Sequence, residues 1–226
     1  MRHVTLGIAL AALVLAAPAA PRALDAQVTT QALPAEIPIF PLPDLALFPN
    51  GTQPFHIFEP RYRAMVADAL AGDSIIGMVM LEPGYEDQYQ GRPPVHAMGA
   101  AGLIVASEQL PDGRYNIVLQ GLGKFRIVDE DQSRPYRLAA IEALPEAVPA
   151  DADLLASRRR QVEAAVRSAF PRAPLPSSAV PSERAIDDIC TMLPLEPSEK
   201  LELLQADGPL ERAAVLVRIL RTGSRA

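Results

Sequence analysis

The sequence predicts an α+β fold, with an antiparallel β-rich half over residues 36–146 followed by an all-helical half over 151–222. Three observations predict it. Between Arg114 and Gln120 the side chains alternate: Tyr115, Ile117 and Leu119 share one face, and Arg114, Asn116 and Gln120 the other. That period of two belongs to a sheet with one covered face. Pro111-Asp112-Gly113 and Gly121-Leu122-Gly123 punctuate this region as hairpin connectors. After Pro149 the spacing changes: Leu155, Val162, Val166 and Ala169 recur at the period of an α-helix.

The elements follow in order. Arg2 and His3 precede an apolar run from Leu6 to Ala17, and small residues follow. This layout predicts a secretory signal over 1–26, cut after Ala19 or Ala26. The run falls short of the ~20 apolar residues of a transmembrane helix. No stable membrane anchor is therefore expected after cleavage. The expected location is periplasmic or secreted, or cytoplasmic if the start site is misassigned. Residues 27–35 read as a loose mature N-terminus. In IPIFPLPDLALFPNGTQPFHIF (37–58) apolar residues alternate with prolines, which lack a backbone donor and suit edge strands. Pro49-Asn50-Gly51 is a turn signal, and Phe55, Ile57 and Phe58 read as a short strand. Met65, Val66, Ala69 and Leu70 place a helix over Arg61–Ala71, ended at Gly72. Ser74–Leu81 reads as a buried strand, and EPGYEDQYQGRPPVHAMG (82–99) as a polar loop. Strands are expected over Ala101–Gln109, Arg114–Gln120, Lys124–Asp129 and Tyr136–Leu144.

Asp151 and Asp153 start the first helix of the second half, which runs to about Phe170. PRAPLPSSAVPS (171–182) is a proline-rich break. A second helix carries Ile186, Ile189, Cys190 and Leu193, and a third, shorter one carries Leu201 and Leu204. Asp207-Gly208-Pro209 opens a fourth. There Leu210, Ala213, Val217 and Leu220 face one way, and Val215, Leu216 and Ile219 widen the face.

Composition bounds the function. The 226 residues carry a formal net charge of −6, which builds no basic field for nucleic acid. The single cysteine, Cys190, excludes an internal disulfide and a multi-cysteine metal cluster. It reads as a buried, inert thiol. The only Gly-Lys pair, Gly123-Lys124, is followed by Phe125 instead of the Ser or Thr of a phosphate-binding loop. Lys124 reads as a surface residue of a hairpin strand and Lys200 as an exposed helix residue, which leaves no lysine for a Ser-Lys dyad. His56 points outward from its strand and His96 follows a proline pair; neither is placed for a Ser-His-acid site. No His-x-x-x-His or His-x-His metal pair is present. Glu86-Asp87 and Asp187-Asp188 read as loop and helix-surface charges, and SRRRQ (157–161) as a solvated helix face. No cofactor and no metal are expected.

The stretch PFHIFEPRYRAM (54–65) places a charged, proline-interrupted tetrapeptide between strand and helix. Proline suits the first helical position, where a missing N–H costs nothing. Glu59 then stands at the cap, its carboxylate placed to accept first-turn amides at the positive end of the helix dipole. Arg61 can pair with a nearby carboxylate or carbonyl, and Tyr62 can lay its ring on the sheet. Glu59, Pro60, Arg61 and Tyr62 are therefore read as construction, not catalysis.

IPIFPLPDLALFPNGTQPFHIFEPRYRAM resembles the opening of the N-terminal, substrate-recognition domain of ATP-dependent Lon proteases, with its FPLP, Phe-Pro turn and FEPRY junction. LPDGRYNIVLQGLGKFRIVDE (110–130) is similar to that family's later hairpin, and LPLEPSEKLELLQADGPLERAAVLVRIL (193–220) to its closing helices. The resemblance covers about 36–222. It implies a small twisted β-barrel-like sheet of the PUA-like type, then a helical bundle, and a role in recognising protein substrates. The ATPase and Ser/Lys protease segments of that family are missing from these residues, and an export signal is unlike the cytosolic enzyme. The expectation is a non-catalytic module, not an enzyme, that binds unfolded or flexible protein segments. The candidate contacts are the loop aromatics Tyr85 and Tyr89, with Arg92 and His96 beside them. Two alternatives stand: a self-associating or scaffold module docking through Leu210–Leu220 as a possible homo-oligomer, and an uncharacterised hydrolase.

Overall fold

The computed structural model describes residues 33–131 and 133–222. The expected signal at 1–26 lies outside the described residues. The strands are β1 (Glu36–Leu42), β2 (Thr52–Ile57), β3 (Ile75–Leu81), β4 (Val95–Gln109), β5 (Tyr115–Asp131) and β6 (Arg137–Leu144). Helix α1 (Pro60–Ala71) lies between β2 and β3; α2 (Ala152–Ala169), α3 (Ser182–Met192), α4 (Pro197–Gln205) and α5 (Pro209–Thr222) follow the last strand. The fold is α+β. The sheet runs β2-β5-β4-β3-β1-β6, and β5 pairs with β6 as well, so five strands close into a barrel with β2 appended to β5. Closure removes sheet edges. Every strand pair is antiparallel except β1 and β3, which run parallel across the β2–α1 connection.

Closure explains the departures from the sequence reading. Strand β5 pairs with β2 through Tyr115–Gln120 and with β6 through Lys124–Asp131, so it must be long and bent. Gly121-Leu122-Gly123 is therefore no connector; it is the bend inside one strand, where Leu122 is the extra residue in the register with β4. Glycine is needed at 121 because a Cβ there would stand 2.0 Å from the Phe48 carbonyl oxygen. Strand β1 is not an edge either. It pairs with β6 over Glu36–Ile39 and with β3 over Ile39–Leu42, so the two ladders overlap only at Ile39. Pro38 and Pro41 each sit where one ladder is enough, which is how two prolines fit an inner strand. Strand β2, with Pro54, is the edge strand expected.

Two apolar clusters hold the fold. Ile37, Ile39, Ile75, Val79, Ala101, Phe125 and Ala139, drawn from all five closed strands, form the small one, which fills the barrel. The large one lies outside the barrel wall. Ile76, Met78 and Met80 of β3 meet Met65 and Val66 of α1 there, and it continues without interruption through α2–α5. The broad face of α5 is buried in it, against α2, α3 and α4, and is not an open docking surface. Cys190 is fully buried, and burial pushes its thiol upward. Asp151 caps α2 as expected, accepting from the Leu154 amide at 2.9 Å.

Several charges are buried, among them Asp187, Lys124 and Arg159, which the sequence pattern places on the surface. Asp187 and Arg212 are each 0% exposed and bonded to one another. Arg212 also donates to Glu146 and to the Leu203 carbonyl, and its guanidinium lies 5.5 Å from the Phe48 ring. Lys124, 4% exposed, reaches Glu146 at 3.2 Å and the Ala206 carbonyl at 2.6 Å. Asn50 donates to Asp187 at 3.2 Å. These groups join the Phe48–Thr52 turn of the β-rich stretch to α3, α4 and α5. Burial pushes the Asp187 carboxyl up, to about 7, against the pull of Arg212 and of the Asn50 amide. Arg159 in the SRRRQ stretch is buried too. It donates to the carbonyls of Pro176, Ser177 and Val180 and to Glu163, and so pins the proline-rich break to α2. Each charge became buried because residues far along the chain supply its partners, as buried charges require.

Candidate functional site

The β2–α1 junction forms one wall of an apolar groove. Pro60 takes the first helical position, and the Glu59 carbonyl accepts the Tyr62 and Arg63 amides. The Glu59 side chain makes no cap bond, contrary to the expectation; it accepts from Arg61 Nε at 3.0 Å. The Arg61 bond joins two opposite charges, whereas a cap bond to an amide would have a charge on one side only. The rest of the Arg61 guanidinium donates to the carbonyls of Tyr89 at 3.0 Å, Gly91 at 3.2 Å and Gln90 at 3.4 Å. It also lies over the rings of Tyr62 at 4.5 Å and Tyr89 at 4.9 Å. The loop after β3 is thus fastened to α1, and Tyr89 is carried to the groove. Arg137 adds a bond to the Pro93 carbonyl.

The groove has a volume of about 490 Å³ and is lined by Phe40, Leu42, Leu45, Phe55, Phe58 and Tyr89, with Tyr62 at its base. That size falls in the ~300–1,000 Å³ range of ligand pockets. Its aromatic rings form a tilted chain: Phe40–Phe55 at 5.7 Å, Phe40–Tyr62 at 4.4 Å and Tyr62–Tyr89 at 6.4 Å. Such offset arrangements favour the ring quadrupoles and hold the walls in place. Phe58 is 61% exposed, an apolar ring left at the mouth, stacked 6.3 Å from His56. Glu59 and Glu86 stand at the rim.

The expected loop contacts separate. Tyr89 lines the groove. Arg92 lines a cleft on the other side of Arg61 and Tyr62. Tyr85 is half-buried at the start of a short 3-10 turn (Glu86–Gln88), and His96 is half-buried within β4, which begins at Val95 and not at Ala101. Neither lines the groove. The sequence pattern places Phe40, Leu45, Phe55 and Phe58 in a stretch suited to edge strands and turns and gives none of them a binding role. The signal for a groove was there: aromatic and aliphatic residues crowd 40–58, more than one covered face of an edge strand needs.

The groove offers mainly apolar surface, with His56, Glu59 and Glu86 as its ionisable lining. His56 lines it at the exposed face of the sheet, and both ring nitrogens are engaged: Nδ1 lies 2.8 Å from Asn116 Oδ1, and Nε2 accepts from Arg114 at 3.0 Å. Among the described residues, no group of three or more His, Cys, Asp or Glu could hold a metal ion. No described helix is long and apolar enough to cross a membrane.

Residues 36–222 match the family described as the ATP-dependent protease La (LON) substrate-binding domain. A Lon protease of Flavobacterium johnsoniae is 27% identical over 205 residues, covering 87% of this chain and 25% of that protein. A Lon protease of Dictyoglomus thermophilum is 28% identical over 190 residues, covering 81% and 24%. The chain thus spans about a quarter of the length of these relatives. The N-terminal domain of a Mycobacterium avium complex Lon protease superposes with a TM-score of 0.59 at 18% identity, covering 83% of this chain and 98% of that one. A Lon N-terminal domain protein from Xanthomonas campestris superposes at 0.54 and 22%, covering 81% and 97%. At such identities these superpositions speak for the fold. With the family match across 36–222, they show that this chain belongs to the LON substrate-binding domain family.

Proposed function

We propose that the chain is a non-catalytic binding module that holds unfolded or flexible protein segments in the aromatic groove. The observation that carries this reading is the groove itself, open at Phe58 and built on rings that Arg61 fixes in place. Unfolded chains display the apolar side chains that folded ones bury. Burying two or three of them gains about 1.5–3 kcal/mol each. Loss of rotational freedom and ordering of the segment offset several kcal/mol of that. The binding is therefore weak, with Kd of about 1 μM or poorer. Such affinity suits a surface that must accept many sequences.

The test is fluorescence anisotropy of a labelled, permanently unfolded test protein, titrated with the chain and with Phe58→Ser. Phe58 is mostly exposed, so its replacement leaves the fold intact. Saturable binding that falls several-fold in Phe58→Ser supports the groove; equal binding by both proteins refutes it. The basic start and apolar run at 1–26 support export, with the module working in the periplasm or outside the cell. A mature chain beginning after Ala19 or Ala26 in an envelope fraction bears on that directly.

A further inference from the structure

Behind the groove, on the other side of Tyr62, lies a smaller cleft of about 190 Å³. It opens between the start of α1, the Gln90–Arg92 end of the anchored loop and the Pro135–Arg137 entry to β6. Three arginines line it, Arg61, Arg92 and Arg137, together with Tyr62 and Tyr136, and no carboxylate does. The whole chain is acidic, so this concentration of positive charge is local. Glu59 and Glu130 accept from Arg61 and Arg137 from outside the cleft lining, the latter at 3.5 Å. Arg137 is 7% exposed. Burial pushes its guanidinium down from its ordinary value, and Arg92 and Arg61 push the same way.

The second observation is a hydroxyl. Tyr62 is 3% exposed, and its Oη has no hydrogen-bond partner among the described residues. The Tyr89 phenol is near enough to influence it, yet no bond of proper geometry forms. Arg61 and Arg137 are both within electrostatic reach of that hydroxyl. Buried polar groups are satisfied as a rule, and an exception calls for an acceptor.

We infer that this cleft is a binding site for a compact oxyanion, a phosphate or carboxylate group, held by Arg92 and Arg137 with the Tyr62 hydroxyl as a further donor. The planar guanidinium fork matches both anions in two-bonded geometry. The volume lies below the ~300–1,000 Å³ of ordinary ligand pockets, so the cleft takes a small ion or the charged end of a longer molecule. The assignment does not depend on what the aromatic groove holds.

The test is thermal unfolding of the full chain and isothermal titration calorimetry with sodium phosphate, against sodium chloride at equal ionic strength. A ligand that binds only the folded state raises Tm in a saturable way. Phosphate should do so and chloride should not. Tyr62→Phe keeps the ring and Arg92→Gln changes an exposed side chain, so both fold; each should weaken phosphate binding about tenfold, as loss of one charge-assisted bond predicts. Competition with short peptides bearing a free or an amidated C-terminus identifies the source. Displacement by the free acid alone assigns a chain-end carboxylate, and displacement by neither assigns a phosphate. A Tm rise that chloride reproduces, or unchanged phosphate binding in both variants, overturns the inference.

Discussion

Two arginine-centred regions of the molecule are built in opposite ways. At the seam between barrel and helices, Arg212 is sealed from solvent, and its partners Asp187, Glu146 and the Leu203 carbonyl surround it. At the β2–α1 corner, Arg61 is also well bonded, but it holds up a structure that is not: an exposed Phe58, an open aromatic groove and a Tyr62 hydroxyl without a hydrogen-bond partner among the described residues. The seam spends its polar contacts on joining two parts of one chain. The corner uses them to keep apolar surface available, and the proposed binding rests on that surface.

The comparison can be broken, starting where the effect is largest. Arg212→Ala removes the cation from between the buried Asp187 and the partly buried Glu146 and should cost about 3–5 kcal/mol in urea unfolding. A loss below ~1 kcal/mol would mean the seam is not the closed unit described. Arg61→Ala removes charged bonds to Glu59 and three loop carbonyls and should cost about 1.5–3 kcal/mol. Its distinguishing sign is local: hydrogen exchange should quicken in residues 82–94 before it quickens elsewhere.

Acidity sharpens the seam further. The Asp187 carboxyl is raised, to about 7, from the ordinary 3.8. The folded state therefore keeps its proton where the unfolded state has lost it. The contribution of this group is full below pH ~4 and is lost as pH rises toward about 7. Asp187→Asn should flatten the stability profile over that window, and an unchanged slope would contradict the assignment. The smallest effect belongs to Glu59→Gln. A cap bond would be worth about 1 kcal/mol. Glu59 makes none and pairs with the partly exposed Arg61, so the change should cost no more than ~1 kcal/mol.

The same contrast explains what could be read in advance. Features set by neighbours in sequence were legible: the Pro60 helix start, the alternation of Tyr115–Leu119, the Asp151 cap and the apolar stripe of α5. Features set across the fold were not. Lys124 was read as solvated because Glu146 and the Ala206 carbonyl are distant in sequence. The Gly121 bend was read as a turn because the Phe48 carbonyl that requires it lies more than seventy positions earlier. Arg212 does carry a local signal. It sits four residues before Leu216 and seven before Ile219, on the apolar stripe of α5, where a charge must find buried partners. Asp187 has the same signal, three residues before Cys190. Within the site, Tyr89 is legible from its loop and the edge position of β2 from its proline, but which of Phe55 and Phe58 stays uncovered depends on elements packed from elsewhere in the chain.

The central claim, that the open corner is where another chain is held, is tested most directly by crosslinking. A photoreactive phenylalanine analogue is placed at Phe58 in one protein and at Val128, which is 60% exposed and not part of the groove lining, in another. The account predicts that an unfolded test protein is captured from position 58 and not from 128. Equal capture from the two positions, or capture from 128 alone, would contradict it.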